Sequence, residues 1–512
     1  MFKKRFIPLA LCLCLAAIVL LAARFFIVSR AQAEMKLTIS PKNAITTNGG
    51  VFEGWGTSLC WWANRLGYSD TLAQQSADLF FSEEGLGMNI MRYNIGGGDD
   101  PAHKHITRTD SEVPGWLTYD QETHTTTFDP EADARQLNVL TRAVKAAGED
   151  ALVEVFSNSP PYFMTESGCS SGAVKAKDNN LREDSVEDFA DYLARVAAYM
   201  KNDLALPIAS LSPMNEPSSD YWSAMSWKQE GCHVDPGKAQ SALIEATAKA
   251  MASYNLKDVI LTASDDTSPK ATFAAYRAFS ENAKAAVGRI NTHTYSDKSA
   301  TALANLAKKE NVNLWMSEVD GDGTAGTNAG EMGSALWLGK KIISDIGQLH
   351  PSAWVMWQVV DNHISTEGMN GNVDYGMVDV NKGFWGAAVA DHDNETIVLT
   401  QKYYGFGQFT RYIRPGSTLI TCGSEALAAL NPQDGTLSII VLNTSDQEKD
   451  VRIDLTALSS VGTQAQAVRT SGSMAQGEHW AKLGALPVEN GVLCATLIPN
   501  SMTTFIVDHA AL

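Results

Sequence analysis

Ser212-Pro213-Met214-Asn215-Glu216-Pro217 and Leu314-Trp315-Met316-Ser317-Glu318-Val319-Asp320-Gly321 are the two stretches that decide how this chain reads. Each glutamate closes a short apolar run, 207–212 for the first and 312–317 for the second, and such runs read as buried strands. Glu318 follows Glu216 by 102 positions. A carboxylate at the C-terminal tip of a barrel strand stands where such folds place their chemistry. Two carboxylates from different strands are the minimum equipment for breaking a glycosidic bond. A lone glutamate at such a point is usually a solvated strand end. The Asn-Glu-Pro and Ser-Glu pair, amid many tryptophans, argues for a site instead.

Working outward, strand-like and helix-like segments alternate eight times. The strand candidates end near Gly56, Tyr93, Phe156, Ser212, Ala263, His293, Ser317 and Gln358. Between them the apolar spacing is helical, most clearly at Val186, Phe189, Leu193, Val196 and Met200, and Ser185 with Asp188 forms a capping-box-like start. Leu243, Thr247, Met251 and Tyr254 mark the next helix. Eight such units predict a closed (β/α)8 barrel over residues 46–415. A doubly wound open sheet is the rival, but no Gly-x-Gly-x-x-Gly follows the first strand. After Arg414-Pro415-Gly416 the pattern changes to alternation, as in Val451-Arg452-Ile453-Asp454-Leu455, with turn signals such as Asn431-Pro432-Gln433-Asp434-Gly435. Residues 416–512 therefore read as an all-β sandwich, and the strand-like segment within 34–45 is expected to join it.

At 512 residues the chain is long enough for a barrel plus an accessory domain. Hydrophobic residues make up 45% and charged residues 19%, enough for a large core and little disorder. The net charge is −18, and −23 (35 basic, 58 acidic) without residues 1–33. Such a surface repels nucleic acid and anionic membranes. Residues 1–33 run from Lys3-Lys4-Arg5 through an apolar stretch to Ala31-Gln32-Ala33, the order of a signal peptide; an uncleaved anchor is the alternative. Either places the body of the protein outside the cytoplasm. Seven cysteines occur, five of them beyond the leader. No Cys-x-x-Cys is present and the histidines are scattered, so a zinc site is unsupported and neither metal nor cofactor is expected. Cys169 and Cys232, in loops after neighbouring strands, are expected to form a disulfide.

In a barrel all strand tips converge on one face. The tips here supply Trp55, Trp61 and Trp62; Arg92 and Asn94; Asn158; Asn215, Glu216 and Trp222; Asp265; His293 and Tyr295; Glu318; and Trp357. Sugar rings present apolar faces and polar edges, so a groove for them needs aromatic platforms beside carboxylates, amides and guanidinium groups. Any single tryptophan in this set is as readily core as platform, and His293 as readily a core histidine as a ligand.

Phe52-Glu53-Gly54-Trp55-Gly56-Thr57-Ser58-Leu59, Met91-Arg92-Tyr93-Asn94-Ile95-Gly96-Gly97, the Asn215-Glu216-Pro217 run, Thr292-His293-Thr294-Tyr295, Ser317-Glu318 and Leu497-Ile498-Pro499-Asn500-Ser501-Met502-Thr503-Thr504-Phe505 together resemble glycoside hydrolase family 30. Trp61-Trp62-Ala63 and Gln229-Glu230-Gly231-Cys232 are most similar to its endo-β-1,6-galactanase branch. The resemblance implies a secreted, retaining, endo-acting enzyme on β-1,6-galactan, with Glu318 as nucleophile and Glu216 as acid/base. It implies that Asn215 holds a sugar 2-hydroxyl, that Arg92 keeps Glu318 ionised and that Tyr295 orients it. Tyr162 departs from the family, where Trp follows the Pro-Pro pair. A polysaccharide or oligosaccharide is the expected partner, and the chain is expected to act as a monomer. The other readings are a β-1,6-glucanase or endo-xylanase, a non-catalytic carbohydrate-binding wall protein, and a metal-dependent hydrolase built on Asp99-Asp100 and Asp265-Asp266.

Overall fold

The structure, a computed structural model, describes residues 34–108, 111, 113–326, 328–369, 372–375 and 383–512. The signal-like segment 1–33 lies outside them. The chain enters as β1 (Met35–Thr38) and then builds the barrel from β2 (Gly54–Ser58) and β3 (Ile90–Asn94). A hairpin, β4 (Leu117–Asp120) and β5 (Thr125–Phe128), interrupts before β6 (Leu152–Phe156), β7 (Ile208–Ser212), β8 (Ile260–Asp266), β9 (Arg289–His293), β10 (Asn313–Glu318) and β11 (Ala353–Met356). Eight parallel strands close in the order β2-β3-β6-β7-β8-β9-β10-β11, and β11 returns to β2 with Ala353 opposite Gly54. Every barrel strand ends within three residues of its sequence-predicted end.

The helix Val186–Asn202 buries Phe189, Leu193, Val196 and Met200, four of the five residues its periodicity selects, and half-buries Val186 at its start. The capping box is not formed. Ser185 sits at the N-cap, but its hydroxyl bonds the Asp184 carboxylate, because a short 3-10 turn at Glu183–Ser185 precedes the helix. The helix Lys238–Ser253 likewise buries Leu243, Thr247 and Met251.

Two features have no counterpart in the sequence reading: the hairpin β4–β5, and a four-stranded sheet made of β12 (Val360–Met369), β13 (Asn372–Tyr375), β14 (Ala388–Asp391) and β15 (Thr396–Leu399). Both are insertions after barrel strands; β4–β5 is short and polar, and in β12–β15 the apolar run 384–390 has no alternation to mark the strands beside it. Among the described residues no helix is long and apolar enough to cross a membrane.

The C-terminal region is all β. It comprises β16 (Thr418–Thr421), β17 (Ala426–Asn431), β18 (Thr436–Asn443), β19 (Lys449–Asp454), β20 (Gln464–Ser471), β21 (Glu478–Glu489), β22 (Val492–Leu497) and β23 (Ser501–Val507). Their hydrogen-bonded order is β1-β19-β22-β21-β20-β23-β18-β17-β16. β1 lies parallel to β19, with Leu37 opposite Ile453. β18 shows why this region sits firmly on the barrel. Leu437, Ile439 and Val441 point into the region's own core, while the alternate Ile440 and Leu442 join the barrel's apolar cluster. A strand buried on both faces reads as one continuous apolar run. Gly339 lies against this seam, where a Cβ would sit 3.3 Å from the Leu442 methyl groups.

Trp55 belongs to this packing and not to a ligand groove. It is fully buried, and its indole N–H donates to the Ile413 carbonyl at 2.7 Å. Its ring lies against Phe52, Trp354, Phe406 and Phe409. Trp62 is buried too, donating to the Ser58 carbonyl at 2.8 Å and packing edge-on against Phe80. Trp55 lies on β2 and Trp62 just after it, and both pack against helices. Trp55→Ala should therefore cost about 3–5 kcal/mol of stability, read as the shift in urea unfolding. The affinity of the folded fraction for a cleft ligand should not change.

Candidate active site

The barrel interior beneath the strand tips is ionic. Arg92 on β3 is fully buried and forks to three carboxylates: Nε to Glu154 at 3.0 Å, Nη2 to Asp265 at 2.6 Å and Nη1 to Glu318 at 3.0 Å. Glu154 on β6 also accepts from Arg289, from Asn291 at 2.8 Å and from Ser210 at 2.9 Å. The side chains come from alternate positions of neighbouring strands, which the pleat turns inward. Breaking one partner of such a buried set costs about 3–5 kcal/mol.

Two irregularities aim the upper layer. The β10–β9 register shifts between Met316 and Glu318, which leaves Glu318 opposite His293. The β8–β9 register shifts between Ser264 and Asp266. Bulges of this kind redirect side chains at barrel rims. Glu216, in the turn after β7, has φ 49°, and its N–H donates to the Asp265 carbonyl at 2.9 Å. Left-handed backbone is strained for a glutamate, and such strain gathers at functional sites.

Glu216, His293 and Glu318 converge so that one polar atom from each lies within 4.8 Å of the others. His293 Nδ1 is 3.2 Å from Glu216 Oε1 and 3.4 Å from Glu318 Oε1, and Nε2 is 3.3 Å from Asp265 Oδ1. Tyr295 donates to Glu318 Oε1 at 3.0 Å, and Tyr221 donates to Glu216 Oε2. Burial alone would lower the His293 imidazolium. Glu318, Asp265 and Glu216 outweigh it and push the group up to about 10. Burial raises Glu318, with His293 and Arg92 pulling against it. Asp265 is held well below the usual carboxylate range, because Arg92 and His293 overcome its burial. Burial, reinforced by the neighbouring glutamates, raises both tyrosines, so they stay donors.

Above this cluster opens a cleft of about 590 Å³. Of the sequence-predicted residues it is lined by Trp61, Asn215, Glu216, Trp222, Tyr295, Glu318 and Trp357. Trp61 meets Trp357 edge to face at 5.0 Å. Arg92, Asp265 and His293 lie one layer beneath and reach the cleft through the carboxylates they hold. Trp55, Trp62, Asn94 and Asn158 stand outside its lining. Asn94 is buried with its backbone tied to Gln136, and Asn158 turns its amide to Cys60 Sγ.

The Cys169–Cys232 disulfide is also absent; both thiols are free. Their sulfurs face different partners, Cys169 toward His105 and Ser171, Cys232 toward the His233 carbonyl.

Sequence reasoning missed Arg108, whose guanidinium lies 4.5 Å over the Trp61 ring, and Lys228, Gln229 and Thr267 on the cleft wall. They sit in irregular loops with no periodicity to mark them. Glu230 has a structural task. Its carboxylate accepts the N–H groups of Gly97 and Gly98 at 2.9 and 3.1 Å, and burial pushes it up to about 8. Gly231 beside it is required by space, because a Cβ there would lie 2.2 Å from the Trp222 ring.

His293 gives the protein a pH signature. Its folded value, about 10, lies above the ordinary 6.5. Its stabilisation is therefore complete below pH 6.5 and is lost as pH rises through about 10. The difference in unfolding free energy between the wild type and His293→Gln should be largest in acid and shrink steadily across that window. A difference that grows with pH would contradict the assignment.

The sequence from residue 35 to 265 matches the profile described as O-glycosyl hydrolase family 30. An endo-β-1,6-galactanase from Hypocrea rufa is 28% identical over 94% of this chain and 96% of its own length. An exo-β-1,6-galactobiohydrolase from Bifidobacterium longum is 26% identical over 81% of this chain, which spans only 35% of that protein. Among solved structures, a conserved exported protein from Bacteroides fragilis shares the fold at a TM-score of 0.71, 17% identity, 92% coverage of this chain and 99% of its own. The family 30 O-glycosyl hydrolase match thus covers residues 35–265, and the chain is a glycoside hydrolase.

Proposed function

We propose that the chain is an exported, retaining endo-glycosidase that cuts β-1,6-linked galactan, with Glu318 as nucleophile and Glu216 as acid/base. The observation that carries the mechanism is the closeness of the two carboxyl groups, whose offered oxygens lie within 4.8 Å. Retaining enzymes hold the pair about 5–5.5 Å apart, whereas inverting ones leave about 6.5–9.5 Å for a water.

In the first step Glu318 attacks the anomeric carbon, the glycosidic C–O bond breaks and Glu216 gives its proton to the departing oxygen. In the second, water attacks the same carbon, Glu216 takes the water's proton and Glu318 leaves as carboxylate. Arg92 and Tyr295 fix Glu318 and spread its charge. Tyr221 fixes Glu216. Asn215 stands at the cleft with its side-chain carbonyl free of any protein donor, suited to a sugar hydroxyl.

Trp61, Trp222, Trp357 and Tyr221 give the groove several aromatic surfaces, which supports binding more than one sugar and cutting within a chain. The acidic protein disfavours polyuronides and sulfated glycans. The choice of galactan rests on the two curated relatives, both named for β-1,6-galactan chemistry. The basic-then-apolar order of residues 1–33 supports export.

Glu318→Gln should abolish turnover. Glu216→Ala should lose most activity on natural glycans but least on substrates with a good leaving group, and azide should restore part of the rate as a glycosyl azide of retained configuration. An inverted product would refute the double displacement. Debranched β-1,6-galactan should yield short oligosaccharides; release from β-1,6-glucan or xylan instead would overturn the substrate while leaving the mechanism standing.

A further inference from the structure

Away from the glutamates, two loops bring together Asp99, His103, His105 and Cys169, with one donor atom of each within 4.8 Å of the rest. Asp99 and both histidines follow β3, and Cys169 follows β6. Asp99 Oδ2 lies 2.6 Å from His105 Nε2 and 3.6 Å from His103 Nδ1, and Cys169 Sγ lies 3.0 Å from His105 Nε2. We propose that these four side chains form a structural zinc site that ties the loops of the cleft wall together.

The donor set is a carboxylate, two imidazoles and a thiol, the mixture zinc takes in four-coordinate sites. Tetrahedral bonds of about 2.0–2.3 Å set ligand atoms about 3.3–3.8 Å apart; the Asp99–His103 distance of 3.6 Å matches that edge, and the 2.6 and 3.0 Å contacts of His105 would open slightly around an ion. Three of the four ligands are held from behind. The Ser170 N–H donates to Asp99 Oδ1 at 3.0 Å, which leaves Oδ2 facing inward. His105 Nδ1 is 2.7 Å from the Ser226 carbonyl. A carbonyl can only accept, so Nδ1 carries the hydrogen and Nε2 turns its lone pair to the centre. The Met225 N–H and the Ser171 hydroxyl sit 3.2 Å from Cys169 Sγ, placed to stabilise a thiolate. Such outer contacts fix tautomer and orientation at metal centres. Of the inward atoms that remain, His103 Nδ1 is buried without a hydrogen-bond partner, and Asp99 Oδ2 faces only the two histidine nitrogens. A cation at the centre satisfies both.

The site's position gives it a consequence for the cleft. Arg108 follows the His103–His105 segment, and Ser171 and Ser226 adjoin Cys169; all three line the cleft. The N–H groups of Thr107 and Arg108 both donate to the Trp227 carbonyl at 3.0 Å, so the β3 and β7 loops are already in contact there. A bound ion would lock the same loops a second time and steady Arg108 over Trp61.

The test uses the full chain, stripped with a chelator and titrated with Zn2+ or Co2+. We expect one metal per chain, a thiolate-to-cobalt charge-transfer band saturating at one equivalent, and a rise of several degrees in Tm with Zn2+. Cys169→Ser should abolish the band. His103→Ala, at a partly exposed position that packs little, should weaken binding at least about tenfold while the protein stays folded. Zinc should lower KM on long glycans and leave turnover of small aryl glycosides unchanged. A protein that takes up no metal, with Tm indifferent to zinc, would overturn the proposal and leave a His105–Asp99 ion pair. Metal uptake that survives both substitutions would place it elsewhere and overturn the proposal equally.

Discussion

One guanidinium group governs the centre of this molecule. Arg92 has no exposed surface and no water to carry its charge, so the fold must surround it with anions, and it does so with Glu154 below, Asp265 beside and Glu318 above. Each anion comes from a different strand, β6, β8 and β10. The requirement to neutralise one cation therefore ties together strands that are not all neighbours. A buried charge left unpaired costs several kcal/mol, and this couples the closure of the barrel to the geometry at its rim.

The same network holds a charge imbalance. Arg92, Arg289 and a protonated His293 contribute three positive charges to the directly bonded pool, while Glu154, Asp265, Glu216 and Glu318 offer four carboxylates. One further proton makes the pool neutral. A double displacement needs that proton on Glu216 at the outset and a charge on Glu318. The contacts favour this division, because the permanent cation touches Glu318 and not Glu216. His293 bridges the two and can follow the charge as it moves between them.

The barrel was legible in the sequence because its strands are short apolar runs between helices with clean periodicity, and each strand tip fell within a few residues of its expected place. The glutamates were legible because they end such runs. The aromatic residues were not separable on the same evidence. Trp55, Trp61 and Trp62 lie within eight residues, yet only Trp61 lines the cleft. A tryptophan looks the same in sequence whether it packs on a helix or faces a ligand, and only the direction of the side chain decides. Arg108 and the Asp99–His103–His105–Cys169 cluster were hidden for a different reason. Arg108 meets Trp61, and Asp99, His103 and His105 meet Cys169, across separate loops, and irregular backbone leaves no period from which that proximity can be read. The expected disulfide failed on this point too, since loops after adjacent strands can be near one another while their thiols face apart.

A division of labour follows. Groups that must be placed to a fraction of an ångström stand on strand ends or in bulges, where the ladder fixes them. Groups that shape the groove stand on long loops, which by themselves would wander. The protein compensates with polar braces that cross from loop to loop. Glu230 captures the Gly97 and Gly98 amides, the Trp227 carbonyl captures those of Thr107 and Arg108, and Ser170 captures Asp99. Each brace uses a backbone amide that a loop would otherwise leave to solvent. Ordering the groove and satisfying buried backbone polarity are therefore the same act. Substrate preference can drift with loop sequence while the barrel's ionic centre stays as it is.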